Sequence, residues 1–116
     1  DLTIINRETG VAKVIDYKTG KSAKYADKGQ LELMALAIFA HFPVVQEVKA
    51  GLLFVVCNQF IKDKYSRRDQ TLLWDKWMGT YTRMTGAMEN EVWNANPSGL
   101  CRAHCPVTEC VHNGRN

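Results

Sequence analysis

The chain has 116 residues, 46% of them hydrophobic and 23% charged, which suits one small folded domain and excludes an intrinsically disordered segment. Its formal net charge of +3 permits a phosphate-rich partner without requiring one. No apolar run is long enough to span a membrane, and the first residues lack the pattern of a signal peptide, so we expect a cytoplasmic protein.

Two runs rich in β-branched residues open the chain, at residues 1–6 and 11–18, and the short turn between them ends in Gly10. This pattern predicts a β-hairpin. With the turn centred between its two strands, Asp1 pairs with Asp16, unless a bulge shifts the register by one residue. The chain has no initiator Met and begins within the first predicted strand, so we expect that upstream sequence is missing.

A helix and a third strand are predicted next. The helix covers residues 28–42, where apolar side chains occur nearly all round, as in a buried helix. Asp27 and Gln30 have the spacing of an N-terminal cap. Residues 48–57 predict a strand that is buried on both faces near its end. The polar residues 58–66 either extend that strand or form a loop.

A second helix is predicted from a capping box at residues 66–69 to about residue 93. A break rich in Pro, Gly and Asn then leads to a cysteine-rich tail. The order strand, strand, helix, strand, helix, tail predicts an α/β fold with a mixed sheet. We therefore divide the chain into a core at 1–96 and a tail at 97–116.

Aromatic residues are concentrated on the second predicted helix. Trp74, Trp77 and Tyr81 have helical spacing, which favours packing in the core over stacking on single-stranded bases. Cys57 ends an apolar strand and is interpreted as a core residue.

The second predicted strand carries an acidic and a basic residue two positions apart. Because strand side chains alternate between faces, Asp16 and Lys18 project to the same side. A carboxylate can bind Mg²⁺, and Asp1 would supply a second one. The lysine can orient the attacking water and offset charge on a phosphate. The alternative is a solvated ion pair of little consequence.

Asp1, the segment Asp-Tyr-Lys-Thr-Gly-Lys at 16–21 and the later Gln30 together resemble the RecB-like branch of the PD-(D/E)XK nucleases. The resemblance implies a restriction-endonuclease-like α/β core, a mixed β-sheet flanked by helices, with its first helix and first strand missing here. It also implies a metal-dependent DNA nuclease, more an exonuclease than an endonuclease, acting in recombination, repair or replication. The alternative is a catalytically inactive DNA-binding or interaction module. A phage or bacterial source would fit.

The family pattern also implies roles for individual residues. Asp1 and Asp16, with the backbone carbonyl of Tyr17, would bind Mg²⁺ or Mn²⁺. Lys18 would be the catalytic lysine, and Gln30 would orient it or the DNA, unless Gln30 is only a helix cap.

Three further positions bear on the resemblance. Lys21 and Lys24 could contact DNA phosphates, although solvated surface charges are the alternative. The family often has a Tyr four residues after the helix Gln, where this chain has Met34. A homo-oligomer could cover sheet edges that a missing segment would expose.

The tail holds Cys101, Cys105 and Cys110 within ten residues. Such short spacings suit a metal site. Resemblance to phage and CRISPR-associated nucleases implies an iron–sulfur (4Fe–4S) cluster, with its fourth cysteine upstream. Alternatively, His112 completes a Zn²⁺ site with the three cysteines, or the thiols carry no metal and can form a disulfide.

Overall fold

The computed structural model describes residues 1–114 and begins with the predicted hairpin. Strands β1 (Leu2–Asn6) and β2 (Val11–Lys18) pair antiparallel, with Leu2 opposite Ile15. The register is therefore the predicted one, without a bulge between the paired residues. The β2 boundaries also agree with the β-branched run in the sequence.

The turn of this hairpin is fixed by an asparagine and a glycine. Asn6 Oδ1 accepts hydrogen bonds from the backbone N–H groups of Glu8 and Thr9, both at 3.0 Å. Gly10 has a φ of 68°, which favours glycine, and its N–H donates to the carbonyl of Asn6 at 3.0 Å. These contacts set the turn length, and the turn length sets the strand register.

Helix α1 (Gly29–His41) connects β2 to strand β3 (Glu47–Phe54), which lies parallel to β2. A helical crossover is the usual connection between parallel strands. Strand β4 (Gln59–Ser66) then pairs antiparallel with β3 and completes a mixed sheet in the order β1–β2–β3–β4. The predicted α/β class with a mixed sheet is confirmed.

The prediction for residues 48–57 was wrong at its end, and residues 58–66 are neither an extension nor a loop. β3 stops at Phe54, and Val55 and Val56 are exposed in the turn that follows. Asn58 has a φ of 51°, a left-handed conformation that Asn tolerates better than most residues, and it reverses the chain into β4. Cys57 is partly buried and packs against the core from this turn.

The core lies between α1 and one face of the sheet. Alternate residues of β2 and β3 point towards the helix, as strand geometry requires. Leu33 is 44% exposed, so α1 is buried along one face and not all round as predicted. The strand contribution is Ala12, Val14, Val48, Ala50, Leu52 and Phe54, and α1 adds Leu31, Ala35, Ile38 and Phe39.

Arg67 holds the carboxyl-terminal end of α1. Its guanidinium donates to the carbonyl oxygens of Phe39 at 3.1 Å, Phe42 at 2.8 Å and Val45. The guanidinium carbon also lies 5.0 Å from the centre of the Phe39 ring. A helix end leaves carbonyls without intrahelical partners, and here an arginine side chain satisfies them.

Helix α2 (Gln70–Glu89) differs from its prediction at the start and in its packing. A short 3-10 helix, Arg67–Asp69, precedes it, and Ser66 makes no side-chain cap, so the predicted capping box is wrong. No residue of α2 is buried. Trp74 and Tyr81 are 42% and 57% exposed, which corrects their placement in the core.

The chain divides into two compact units, Asp1–Thr80 and a second that begins at Tyr81. The second unit contains a short helix, α3 (Gly99–Ala103), whose first turn is capped by Ser98 Oγ accepting from the N–H of Leu100 at 3.3 Å. Throughout residues 1–114, no helix has the length and apolar character that a membrane span requires.

Candidate active site

The carboxyl-terminal end of β2 places Asp16 towards the interior. Asp16 follows Ala12 and Val14 on the face covered by α1, and it is 6% exposed. Tyr17, one residue on, points to the opposite face and is 47% exposed. Only the backbone of Tyr17 can therefore face the same site as the Asp16 side chain.

Asp16 and Lys18 form a close ion pair. Lys18 Nζ lies 2.7 Å from Asp16 Oδ2. This oxygen is buried, and the ammonium of Lys18 compensates its charge. A carboxylate has two oxygens with several lone pairs, so Asp16 can accept a further ligand while it stays paired with Lys18.

Gln30 brings the first turn of α1 into the same cluster. Its Oε1 accepts a hydrogen bond from Lys18 Nζ at 2.8 Å. The helix has no side-chain cap at Lys28, and Asp27 Oδ1 accepts from the N–H of Gly29 at 2.8 Å. Of the two interpretations of Gln30, the contact with the lysine is the one found in the structure, and the cap is not.

Asp1 is the other acidic residue that the sequence assigns to the site. It immediately precedes β1 and is exposed. Continuing the observed register by one residue from the pair of Leu2 and Ile15 brings Asp1 opposite Asp16. In that register the two carboxylates would lie on neighbouring strands, and carboxylate oxygens are the ligands that a hard divalent cation prefers.

The two lysines predicted to meet phosphates lie in the loop between β2 and α1. Lys21 and Lys24 are both exposed. Lys24 Nζ lies 5.2 Å from the centre of the Tyr25 ring, and the Lys24 N–H donates to Ser22 Oγ at 3.1 Å. Their contact with DNA stays a prediction.

A cavity of about 300 Å³ adjoins Lys18 and Gln30. Sequence patterns did not identify the other residues around it, although four of them lie in the short loop between the Asp-Tyr-Lys segment and α1. A larger cavity of about 630 Å³ lies on the opposite face of the sheet and contains none of the predicted site residues. The smaller cavity is lined by Lys18, Ser22, Tyr25, Ala26, Asp27, Gln30, Leu52 and Phe54.

The cysteine-rich tail was predicted to hold an iron–sulfur cluster, Zn²⁺ or metal-free thiols. Cys101, Cys105 and Cys110 are free, partly buried thiols, and His112 is exposed. In the part of the chain that the structure describes, no three His, Cys, Asp or Glu side chains gather into a metal-ligand group. The geometry therefore gives no support to an iron–sulfur cluster or Zn²⁺ in the tail.

An asparagine organises the tail instead. Asn113 is fully buried, and its Nδ2 donates to the backbone carbonyls of Cys105 at 3.2 Å and Val107 at 2.9 Å. Cys101 Sγ accepts from the N–H of Ser98 at 3.3 Å, so at least one thiol takes part in helix capping. No periodic pattern in the sequence distinguishes Asn113 from the polar residues around it.

Comparison with known proteins agrees with the geometry at the strand end. A sequence model of the PD-(D/E)XK nuclease superfamily matches residues 1–110. No curated protein and no solved structure gives a significant match.

Proposed function

The chain belongs to the PD-(D/E)XK nuclease superfamily, and we propose that it is a metal-dependent deoxyribonuclease acting on phosphodiester bonds. Within that class we propose a RecB-like exonuclease that works in DNA recombination, repair or replication. The observation that carries the proposal is the position of Lys18, whose ammonium is 2.7 Å from a buried carboxylate oxygen and 2.8 Å from the Gln30 amide oxygen.

Asp1 and Asp16 are proposed to hold the divalent cation, Mg²⁺ or Mn²⁺, with the backbone carbonyl of Tyr17 as a further ligand. Bound there, such a cation supplies Lewis-acid chemistry and acidifies water. Asp16 is suited to this role because it is a buried carboxylate at the end of a paired strand, held beside Lys18. Asp1 is exposed, which leaves this side of the site open to solvent and to substrate.

Lys18 is proposed to act directly on the reacting phosphate. Its ammonium can orient the attacking water and offset the charge that develops on the phosphoryl oxygens. The Lys18 side chain is 35% exposed, so it can reach a substrate while its position is restrained by Asp16 and Gln30. Restraint matters because a preorganised donor needs no reorganisation when the reaction occurs.

The test is cleavage of linear and circular DNA with Mg²⁺ or Mn²⁺ by the wild type, Asp16→Asn and Lys18→Ala. Removing one preorganised charge or donor typically lowers the rate by about 10²–10³-fold, and we expect losses of this order in both variants. Lys13→Ala is the matched control, because Lys13 is an exposed lysine of β2 on the opposite face. Its cleavage rate should equal that of the wild type.

The outcomes separate the possible functions. Sparing of circular DNA would establish exonuclease action, whereas its cleavage would make the enzyme an endonuclease. Equal cleavage by the wild type, Asp16→Asn and Lys18→Ala would overturn the assignment of these residues. DNA binding without any cleavage by the wild type would favour a catalytically inactive DNA-binding module on the same scaffold.

A further inference from the structure

The cavity beside Lys18 has an apolar floor and an open aromatic rim. Leu52 and Phe54, from the carboxyl-terminal half of β3, are 1% and 7% exposed and form the floor. Tyr25, from the loop before α1, is 86% exposed and belongs to the rim. The volume of about 300 Å³ is at the lower end for small-molecule sites, which suits a flat heterocycle.

Tyr25 is an unusual residue to leave in solvent. An exposed aromatic ring gains little from folding, and the side chain near this one is that of Lys24, whose Nζ lies 5.2 Å from the ring centre. Ser22 and Asp27, which also line the cavity, supply polar groups near the same rim. The combination of an aromatic face, a nearby cation and polar edges is the chemistry that recognises a nucleobase with its phosphate.

We propose that this cavity is a subsite for an unpaired nucleobase next to the scissile phosphate, with Tyr25 as its stacking platform and Lys24 near the adjoining phosphate. The proposal rests on the proposed nuclease function and adds a substrate class, single-stranded DNA or frayed ends. A base within a duplex is paired and stacked on its neighbours, so it cannot enter a lateral cavity without being extruded. The distance from Lys18 is short because Lys18 and Gln30 line the same cavity.

The experiment measures DNA binding without cleavage, in EDTA and at fixed salt, by fluorescence anisotropy. Three ligands of equal length are compared: a single strand, the same strand without bases, and the blunt duplex. Tyr25→Ala should weaken binding of the single strand by about five- to hundred-fold, the range expected for losing one base–aromatic stack. Binding of the baseless strand and of the duplex should stay within about twofold of wild type, because phosphate contacts are unchanged.

Two variants serve as controls. Tyr25→Phe keeps the ring and should bind the single strand within about twofold of wild type. Trp93→Ala removes another exposed aromatic side chain, which does not line the cavity, and should leave binding unchanged. Since Tyr25 is 86% exposed, its substitution is not expected to disturb folding.

Each remaining result is decisive. Equal weakening with all three ligands would overturn the stacking role and make Tyr25 a backbone contact. Unchanged binding in Tyr25→Ala, or no binding of the single strand by the wild type, would remove the subsite. Base-dependent binding that is lost in Tyr25→Ala, in a wild type that does not cleave DNA, would retain the subsite and refute the nuclease.

Discussion

Asp16 and Asn113 are the buried polar side chains of the described chain, and they lie in its two different units. Each has one buried oxygen without a hydrogen-bond partner. Asn113 uses its amide donors on two carbonyls of its own tail. Asp16 instead faces an ammonium that Gln30 also holds. The buried side chain of Asn113 thus stabilises the fold of the tail, whereas the buried side chain of Asp16 forms part of a charged site at the end of a strand.

The difference follows from how each unit is built. In the sheet, the strand ladder fixes the backbone independently of Asp16, so the side chain at that position is available for chemistry. In the tail, α3 is only five residues long, and backbone carbonyls beyond it depend on a side chain for their hydrogen bonds. The comparison predicts that substituting Asn113 should cost stability, whereas substituting Asp16 should cost activity.

The largest expected change in stability is therefore in the tail. Asn113→Ala removes two part-buried hydrogen bonds from a fully buried side chain and should lower the local free energy of unfolding by about 1–3 kcal/mol. Hydrogen exchange is the measurement, with faster exchange expected for the Asn113 N–H, which donates to the Cys110 carbonyl. Amides of β2 and β3 should keep their protection.

Asn113→Asp is the matched variant, because it preserves the shape of the side chain and removes its N–H donors. It should loosen the tail at least as much as Asn113→Ala, since it also buries a charge. Unchanged hydrogen exchange in both variants would contradict the organising role of Asn113. The fold of the tail would then have to depend on other residues, such as its three cysteines.

The hydroxyl of Tyr65 is buried close to Asp63 and predicts a smaller, pH-dependent effect. Burial of the phenol, followed by the negative charges of Asp63 and Glu32, raises the pKa of Tyr65 from 10.0 to about 12. The folded state therefore holds this proton more tightly than the unfolded chain does. Stability from this source is complete below pH 10 and is lost as the pH rises towards 12.

Urea unfolding at several alkaline pH values tests this effect in the wild type and in Tyr65→Phe. The wild type should lose stability more steeply between pH 10 and 12, because only the wild type has the titrating hydroxyl. Below pH 10 the difference between the two proteins should be constant. Parallel curves across the whole range would show that Tyr65 does not titrate differently on folding.

The hairpin and the site in the first unit could be predicted from the sequence to a greater extent than the structure of the tail. The hairpin register followed from turn length and β-branched runs, and strand alternation brought Asp16 and Lys18 to one side. The link to Gln30 came from the family resemblance, since nothing in local spacing relates a strand lysine to a residue 12 positions later.

Three other features could not be predicted from the sequence: the strand β4, the exposure of helix α2 and the role of Asn113. β4 is an edge strand with exposed polar residues, so its composition resembles a loop. The aromatic stripe of α2 indicates an amphipathic helix, but it does not reveal whether another element covers the stripe. The role of Asn113 depends on carbonyls in an irregular segment, which no helical or strand period encodes.

The smallest expected change in stability belongs to Asp16→Asn, and this makes the variant informative. The substitution removes the cost of burying a charge, which favours the folded state, and it also removes the ion pair with Lys18, which opposes it. Lys18 keeps its hydrogen bond to Gln30 and is 35% exposed, so it is not left as an uncompensated buried charge. The two contributions should offset to within about 1 kcal/mol in urea unfolding, with an unchanged m-value. Cleavage should nevertheless be lost. A destabilisation above about 3 kcal/mol would show that the Asp16–Lys18 pair maintains the fold, as Asn113 maintains the tail, and the contrast between the two buried polar residues would then disappear.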